Sequence, residues 1–461
     1  MTQLQDITSP MTSLEKRATL SLSSIYALRM LGLFMILPVL SLFSEQMEGA
    51  TPVLIGLAIS VYGLTQAVLQ IPFGLMSDRF GRKKIIIIGL ILFAAGSFVA
   101  ATSTTIYGVL VGRAIQGGGA IAAAIMALVA DLTQEVHRTK AMATIGASIG
   151  ISFGVAITLG PILAGYIGVS GIFWLTGGLA FLAILVVLFI VPSPKKSTVH
   201  SDAELVPAQF FNVIKNPDLL RLDYGIFVLH LCLTSSFVVL PLLIRDAGLD
   251  AESHWKVYLP ILITSMAGII PFVIIAEKKR KMKTVFIGAI ITLILANLSL
   301  FLFFNNFYGL IACLWLFFCG FNLLEATLPS LISKTAPGDL KGTAMGAYST
   351  SQFMGAFIGG ATGGWVYGEF GAEFVFLFAA VMAITWATVA LFMNTPKYLA
   401  NMLLSLEDIS SANSNKFATK LLEITGIEEV KLHHEESVAY LKVDNKILHK
   451  ENLQRLLNDF S

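Results

Sequence analysis

The chain has 461 residues, 56% of them hydrophobic and only 13% charged, with a formal net charge of +2 and a mean hydropathy of +0.78. Soluble domains carry about a quarter charged residues, so this composition excludes a water-soluble body of this size and makes lipid the natural solvent. The three cysteines, Cys232, Cys313 and Cys319, form no CxxC pair and give no disulfide framework.

A membrane-spanning helix needs about 20 mostly apolar residues. In chain order, a polar N-terminal segment, 1–18, precedes candidate spans at 19–43, 53–76, 85–103, 106–130, 141–166 and 171–191. A polar linker, 193–220, contains VPSPKKSTVHSDAE and divides the spans six and six. Six more follow at 222–244, 257–276, 284–304, 307–332, 342–367 and 371–393. The first apolar stretch is too long for a signal-peptide core, so an uncleaved first helix is expected.

Twelve spans place both termini on one side. Loops on that side hold 19 Lys and Arg before the tail, whereas the opposite loops hold Arg245 and Lys256. The positive-inside bias therefore predicts cytoplasmic termini in an inner-membrane protein. The basic run EKKRKMK (277–283) fits this orientation rule, and no nucleic-acid partner is expected.

Weak internal symmetry appears at a separation near 200 residues. Leu37-Pro38 parallels Leu240-Pro241, and Asp78-Arg79 parallels Glu277-Lys278. Two homologous bundles, 19–192 and 221–395, are the arrangement of many secondary transporters. After Pro396 the chain becomes polar. A strand (398–407), a helix (413–425), a hairpin (428–434 and 437–443) and a helix (449–459) predict a small α+β domain of βαββα order over 396–461, ferredoxin-like and cytoplasmic. The fold class expected is thus an all-α membrane protein of twelve transmembrane helices in two six-helix halves, with this tail.

The loop between the second and third spans reads GLMSDRFGRKK (74–84). Gly74 suits close helix approach. Asp78 can face a helix N-terminus, with its partial positive charge. Arg79 adds to the basic loop, Gly81 permits a tight turn, and Arg82 can reach Asp131 at the end of the fourth span. The run resembles the signature loop of the major facilitator superfamily, Gly-x-x-x-Asp-Arg-x-Gly-Arg-Lys-Lys, at every defined position. LVGRAIQGGGA (110–120) resembles the same superfamily's fourth-helix motif, with Arg113 inside the span. Gly150, Gly154, Gly160-Pro161 and Gly165 resemble the Gly-Pro-x-x-Gly-Gly motif of drug/proton antiporters, departing at Ala156 and Ala164. The resemblance covers 19–393. It implies a proton-coupled exporter of small solutes working by alternating access, with the 74–84 loop as a latch that holds the cytoplasmic side closed in one state.

Ionisable groups inside a span usually face the bundle interior. Arg29 and His230 occupy similar points of the first and seventh spans, and Glu325 shares a face with Asn322 in the tenth. Arg113, His230 and Glu325 are the candidates for proton coupling, with Arg29 and Asn322 in the cavity. Gln66 and Gln70 share a face of the second span and fit packing or solute contact equally.

Expected partners are a small-molecule substrate, protons and the bilayer, with self-association through the tail domain. The tail's first loop, EDISSANSNK (407–416), has no cysteine. Neither a metal site nor a cofactor is expected. GASIG (146–150) matches a nucleophile elbow, but that elbow needs a strand–turn–helix setting and Ser148 lies in a span, so an enzyme is not expected. An uptake symporter and a non-transporting sensor are the alternatives.

Overall fold

The computed structural model describes residues 10–194, 207–337, 340–395, 400–405, 411–433, 438–444 and short pieces between 447 and 456. The first half comprises α1 (Ser13–Met35), α2 (Leu40–Ser44), α3 (Pro52–Phe80), α4 (Arg82–Thr102), α5 (Ile106–Gly118), α6 (Ala122–Leu132) and α7 (Glu135–Phe189). After α8 (Pro207–Ile214), the second half comprises α9 (Pro217–Asp246), α10 (Trp255–Lys278), α11 (Met282–Phe303), α12 (Phe307–Thr335), α13 (Lys341–Phe370) and α14 (Ala372–Leu391). Side-chain caps start several of them. Thr51 accepts from Leu54 N at 3.3 Å, with Pro52 in the first turn; Asn216 accepts from Asp218 N at 3.0 Å, with Pro217 next; Asn306 accepts from Gly309 N at 2.8 Å. Such caps satisfy N–H groups that the helix leaves open.

Ten helical segments among the described residues are long and apolar enough to cross a bilayer. One of them covers most of α7, whose 55 residues would run about 80 Å as a straight helix, far beyond the hydrocarbon thickness. It turns at Gly168, φ 68°, so its two limbs are the fifth and sixth crossings. α13 is 30 residues long but too rich in glycine and hydroxyls to stand out by hydropathy. Counting both limbs and α13 gives twelve segments of membrane-spanning length.

The structure amends the expected elements in places. The linker contains α8, and α9 begins at Pro217 rather than beyond residue 220. Residues 195–206 of the linker lie outside the described residues. The fourth span is two helices, α5 and α6, interrupted at Gly119 to Ile121. Pro38 separates α1 from α2, whereas Pro241 remains inside α9, so the Leu-Pro repeat is not a repeat of local structure. A better match is Lys83 and Lys283. Lys83 Nζ, at the start of α4, donates to Val191 O at 2.7 Å; Lys283 Nζ, at the start of α11, donates to Met393 O at 2.6 Å. Each lysine meets carbonyls just past the last helix of its own half, where cations are favoured.

The halves share one core only at the end far from the termini. There Met35, Leu40, Ile55 and Phe173 of the first half cluster with Val239, Ile261 and Leu314 of the second. At the terminus-bearing end, the first half has a core of its own, built around Leu22, Ile86, Leu128 and Ala183.

Beyond α14, a three-stranded antiparallel sheet of order β1-β3-β2 is formed by β1 (Ala400–Ser405), β2 (Ile427–His433) and β3 (Val438–Val443). α15 (Ser411–Leu422) connects β1 to β2. Phe417 and Leu421 of α15 pack on Leu404, Ile427, Ala439 and Leu441. Most of the expected closing helix, 449–459, and part of the hairpin turn lie outside the described residues.

Candidate functional site

The 74–84 loop turns where α3 meets α4. Gly81 adopts φ 101°, a conformation that other residues rarely take. Gly74 faces Ala123, to which an added Cβ would come within 3.3 Å, so the small residue lets α3 approach α6. Arg82 is buried. Its Nε donates to Asp131 Oδ2 at 3.3 Å and its Nη1 to Ser77 Oγ at 3.0 Å, and it forms an ion pair with Asp78. The Asp78 carboxylate therefore lies against Arg82 of its own loop, where an N-terminus-facing role is expected from the sequence. Arg79 stacks over Phe80 at 5.7 Å.

Arg113 and Arg29 are buried in the first half. Arg113 Nε donates to Ala58 O at 3.2 Å, Nη2 to Ile59 O at 3.0 Å and Nη1 to Gln116 Oε1 at 2.9 Å. Arg29 Nη2 donates to Tyr62 OH and Gln66 Oε1, both at 2.6 Å, and to Gly119 O at 2.9 Å. The Tyr62 ring lies between them, 5.7 Å from the Arg29 guanidinium carbon and 5.3 Å from that of Arg113. Among the described residues, neither cation is paired with a carboxylate. Their charge is spread over carbonyl dipoles and an aromatic face, the solution available to buried cations. The Gly119 carbonyl lies at the break after α5, where it also accepts from Ile121 N at 2.9 Å.

In the second half, His230 of α9, Glu325 of α12 and Gln352 of α13 converge. His230 Nε2 lies 3.2 Å from Glu325 Oε1, and Gln352 Nε2 donates to it at 2.8 Å. When the amide donates, Nε2 is an acceptor and the contact with Glu325 requires a proton on the carboxyl. Transfer to Nε2 makes an imidazolium–carboxylate pair, which requires the amide to turn its oxygen inward. The arrangement can therefore hold one proton at either of two atoms. The His230 ring packs on Phe321 with centroids 6.0 Å apart, and Phe321 stacks at 6.2 Å on Phe153 from the other half. Asn322, one turn from Glu325, donates instead to Ser265 Oγ on α10 at 3.0 Å.

Gly150, Gly154, Gly160, Pro161 and Gly165 all lie on α7 but have different surroundings. A Cβ on Gly160 would strike the Met35 carbonyl, and one on Gly165 would come within 2.7 Å of the Glu252 carboxyl carbon. Gly150 and Gly154, like Gly146, meet nothing within 4 Å. Phe153 beside them touches Phe321 of the other half. At the far end Gly56 of α3 lies against the backbone of Gly360 and Gly364 of α13, and Arg245 Nη1 donates to Glu45 Oε2 at 2.6 Å across the halves. At the far end the two halves are thus in direct contact. Gln70 Nε2, which bonds Thr350 Oγ1 at 2.8 Å and Gly346 O at 3.1 Å, still joins α3 to α13 below Gly63.

A sequence profile of the Major Facilitator Superfamily matches residues 22–360 and 283–402. The chain belongs to the major facilitator superfamily. Among its relatives in this superfamily, the inner membrane transport protein YajR of Escherichia coli K12 is 46% identical over 447 residues, covering 97% of this chain and 98% of that protein. The quinolone resistance protein NorA of Staphylococcus aureus is 26% identical over 351 residues, covering 71% and 84%. In three dimensions the chain resembles the human organic anion transporter MFSD10, with a TM-score of 0.61 at 20% identity over 82% of this chain and all of that one. That last likeness speaks to the fold alone. Superfamily members are membrane transport proteins, generally not enzymes, so a small-molecule substrate within a bilayer follows.

Sequence reasoning missed several groups. Asp223, buried in α9 two turns from His230, lies at the edge of the expected seventh span and was absorbed into its mouth. Gln352 has no sequence signal beyond polarity in a glycine-rich helix. Tyr62 reads as an ordinary span aromatic until the two arginines are seen on either side of it.

Proposed function

We propose that the chain is a proton-coupled secondary transporter of the inner membrane that exports small, drug-like solutes by alternating access, with both termini in the cytoplasm. In this reading 19–192 and 221–395 are the rocking bundles, and 396–461 is a cytoplasmic domain with a ferredoxin-like strand and helix order. The observation that carries it is the His230–Glu325–Gln352 cluster, a site able to hold one proton beside an aromatic contact shared by the two halves. The relatives' names support it, one an inner membrane transport protein and another a quinolone resistance protein.

With the far end open, Glu325 takes a proton from outside. The proton weakens any hold of the carboxylate on a bound solute, which leaves outward. Closure of the far end and opening of the cytoplasmic end release the proton inward, and the recharged carboxylate receives the next solute. One charge crossing 100 mV contributes about 2.3 kcal/mol, roughly a fifty-fold gradient. Arg82 and Asp131 hold the 74–84 loop against the end of α6 within the first half, a position from which that loop can latch the cytoplasmic side when the halves close, and Arg113 and Arg29 place buried positive charge in the first half.

Proteoliposomes with an imposed pH gradient and a fluorescent quinolone as first probe test the reading. Gradient-driven flux is expected in the wild type and lost in Glu325→Gln and His230→Ala. Unchanged flux in these two and in Arg113→Ala rejects the residue assignments. Uptake of the probe together with protons would assign symport instead.

A further inference from the structure

The two halves tie their terminus-bearing ends together differently, and the tail domain lies where they differ. The lysine pair Lys83 and Lys283 sets the register between the halves, since each is the second residue of its helix and meets carbonyls beyond the last helix of its half. In that register Met282, buried and apolar, stands where the first half has Arg82. The second half therefore lacks the arginine that pins the α3–α4 turn to the end of α6. Glu277 of α10 makes a different tie, accepting from Lys334 Nζ of α12 at 2.7 and 2.6 Å.

The α10–α11 turn itself is held from outside the membrane domain. Arg280 has φ 55°, the one positive φ at a non-glycine residue among those described. Such a backbone persists where its surroundings impose it. Its guanidinium donates in parallel to both carboxylate oxygens of Asp444, at 2.8 and 2.5 Å, the strongest geometry for such a pair. Two residues back, Lys442 of β3 donates through Nζ to Ala336 O at 2.6 Å. Ala336 caps α12, so this cation sits on the negative end of that helix. Lys442 lies at the end of β3 and Asp444 just beyond it, so the end of the sheet's central strand touches the turn and the helix end at once.

We propose that the C-terminal domain is a detachable bracket on its own second half. Through Asp444 and Lys442 it fixes the α10–α11 turn to the cytoplasmic end of α12, the tie that Arg82 and Asp131 make within the first half. Anything that lifts the tail, whether ligand, partner or second tail, would loosen the cytoplasmic ends of α10 to α12 and leave the first half's ends as they are. The inference does not depend on the direction of transport or on proton coupling.

Hydrogen–deuterium exchange of the full-length protein in lipid nanodiscs tests it. Arg280→Asp and Asp444→Arg should each raise exchange at 278–282 and 333–337 by about tenfold, the factor a charge-assisted pair supports. The paired swap should restore protection, while 78–84 and 129–133 stay unchanged throughout. Asp444→Asn and Lys442→Met give the same reading, to a smaller degree, should a charge reversal prevent folding. Wild-type exchange in the single variants, exchange in the swap as fast as in the singles, or an equal rise in both halves would overturn the proposal.

Discussion

A methyl group placed at Gly56 is expected to open the far end of the transporter. An added Cβ would lie 2.9 Å from Gly364 Cα and 3.1 Å from Gly364 N, and would press on the Gly360 carbonyl. All three obstacles are backbone, so no side-chain rotation relieves them, and α3 and α13 must separate. Overpacking of this kind costs about 1–3 kcal/mol. The penalty exists only while the two helices touch here, so it acts on one conformation and not on the other. The equilibrium between far-end-closed and far-end-open forms should then shift by about 5- to 150-fold. Spin labels at Gln46 and Asp250, both exposed at that end, report the change in reconstituted protein by paired electron spin resonance. Gly56→Ala should enlarge the long-distance population. Arg245→Ala, which removes a half-exposed cross-half ion pair with Glu45, should enlarge it less, because such pairs contribute about 0–1 kcal/mol. A folded Gly56→Ala protein with the wild-type distance distribution would refute the idea that glycine contacts seal this end.

Other expectations concern stability. Asp131→Ala removes one of the two carboxylates that hold buried Arg82, and with Asp78 still paired it should cost less than the about 3–5 kcal/mol of a wholly unpaired buried charge, seen as a lowered Tm in detergent; the Arg82→Ala, Asp131→Ala double variant should lose less than the sum. Trp386 is fully buried, with its ring 5.8 Å from that of Phe286 and its edge against Gly225, so Trp386→Ala should cost about 3–5 kcal/mol in the same assay. Glu277→Gln breaks a short ion pair with Lys334, yet Glu277 is solvated and the Tm should move by about 1 kcal/mol equivalent or less. Truncation before residue 396 should leave a membrane part that inserts with its helical circular dichroism intact; a chain that cannot insert would make the tail structural.

The solvent, the approximate spans and the superfamily loop were readable from the chain because each is a local or additive property. Hydropathy sums over neighbours, and Gly74 to Lys84 are contiguous, so neither needs the helices to be placed. The expected span boundaries slipped where a residue's role depends on what it meets. Asp223 was lost at a boundary, and α8 was hidden in a linker that reads as polar punctuation. The fifth and sixth spans, in contrast, fall on the two limbs of α7 on either side of Gly168.

Partnership across helices depends on rotation and crossing angle, which no single segment encodes. Glu325 and His230 each look like isolated intramembrane ionisable groups in the chain; packing of α9 on α12 and α13 joins them and adds Gln352. Arg29 looks like a cavity residue in the chain, and packing surrounds it with Tyr62, Gln66 and the Gly119 carbonyl at the α5–α6 break. Gly150 and Gly154 look like Gly160 in a motif, yet only Gly160 meets another backbone, that of Met35 on α1 in its own half. Composition and short-range pattern thus determined that this chain lives in lipid and to which superfamily it belongs. Which charges meet, and which glycines bring the halves together, was settled by the packing of helices within and between the bundles, since those contacts join residues that are distant in the chain, from 49 positions for Arg82 and Asp131 to 200 for Glu45 and Arg245.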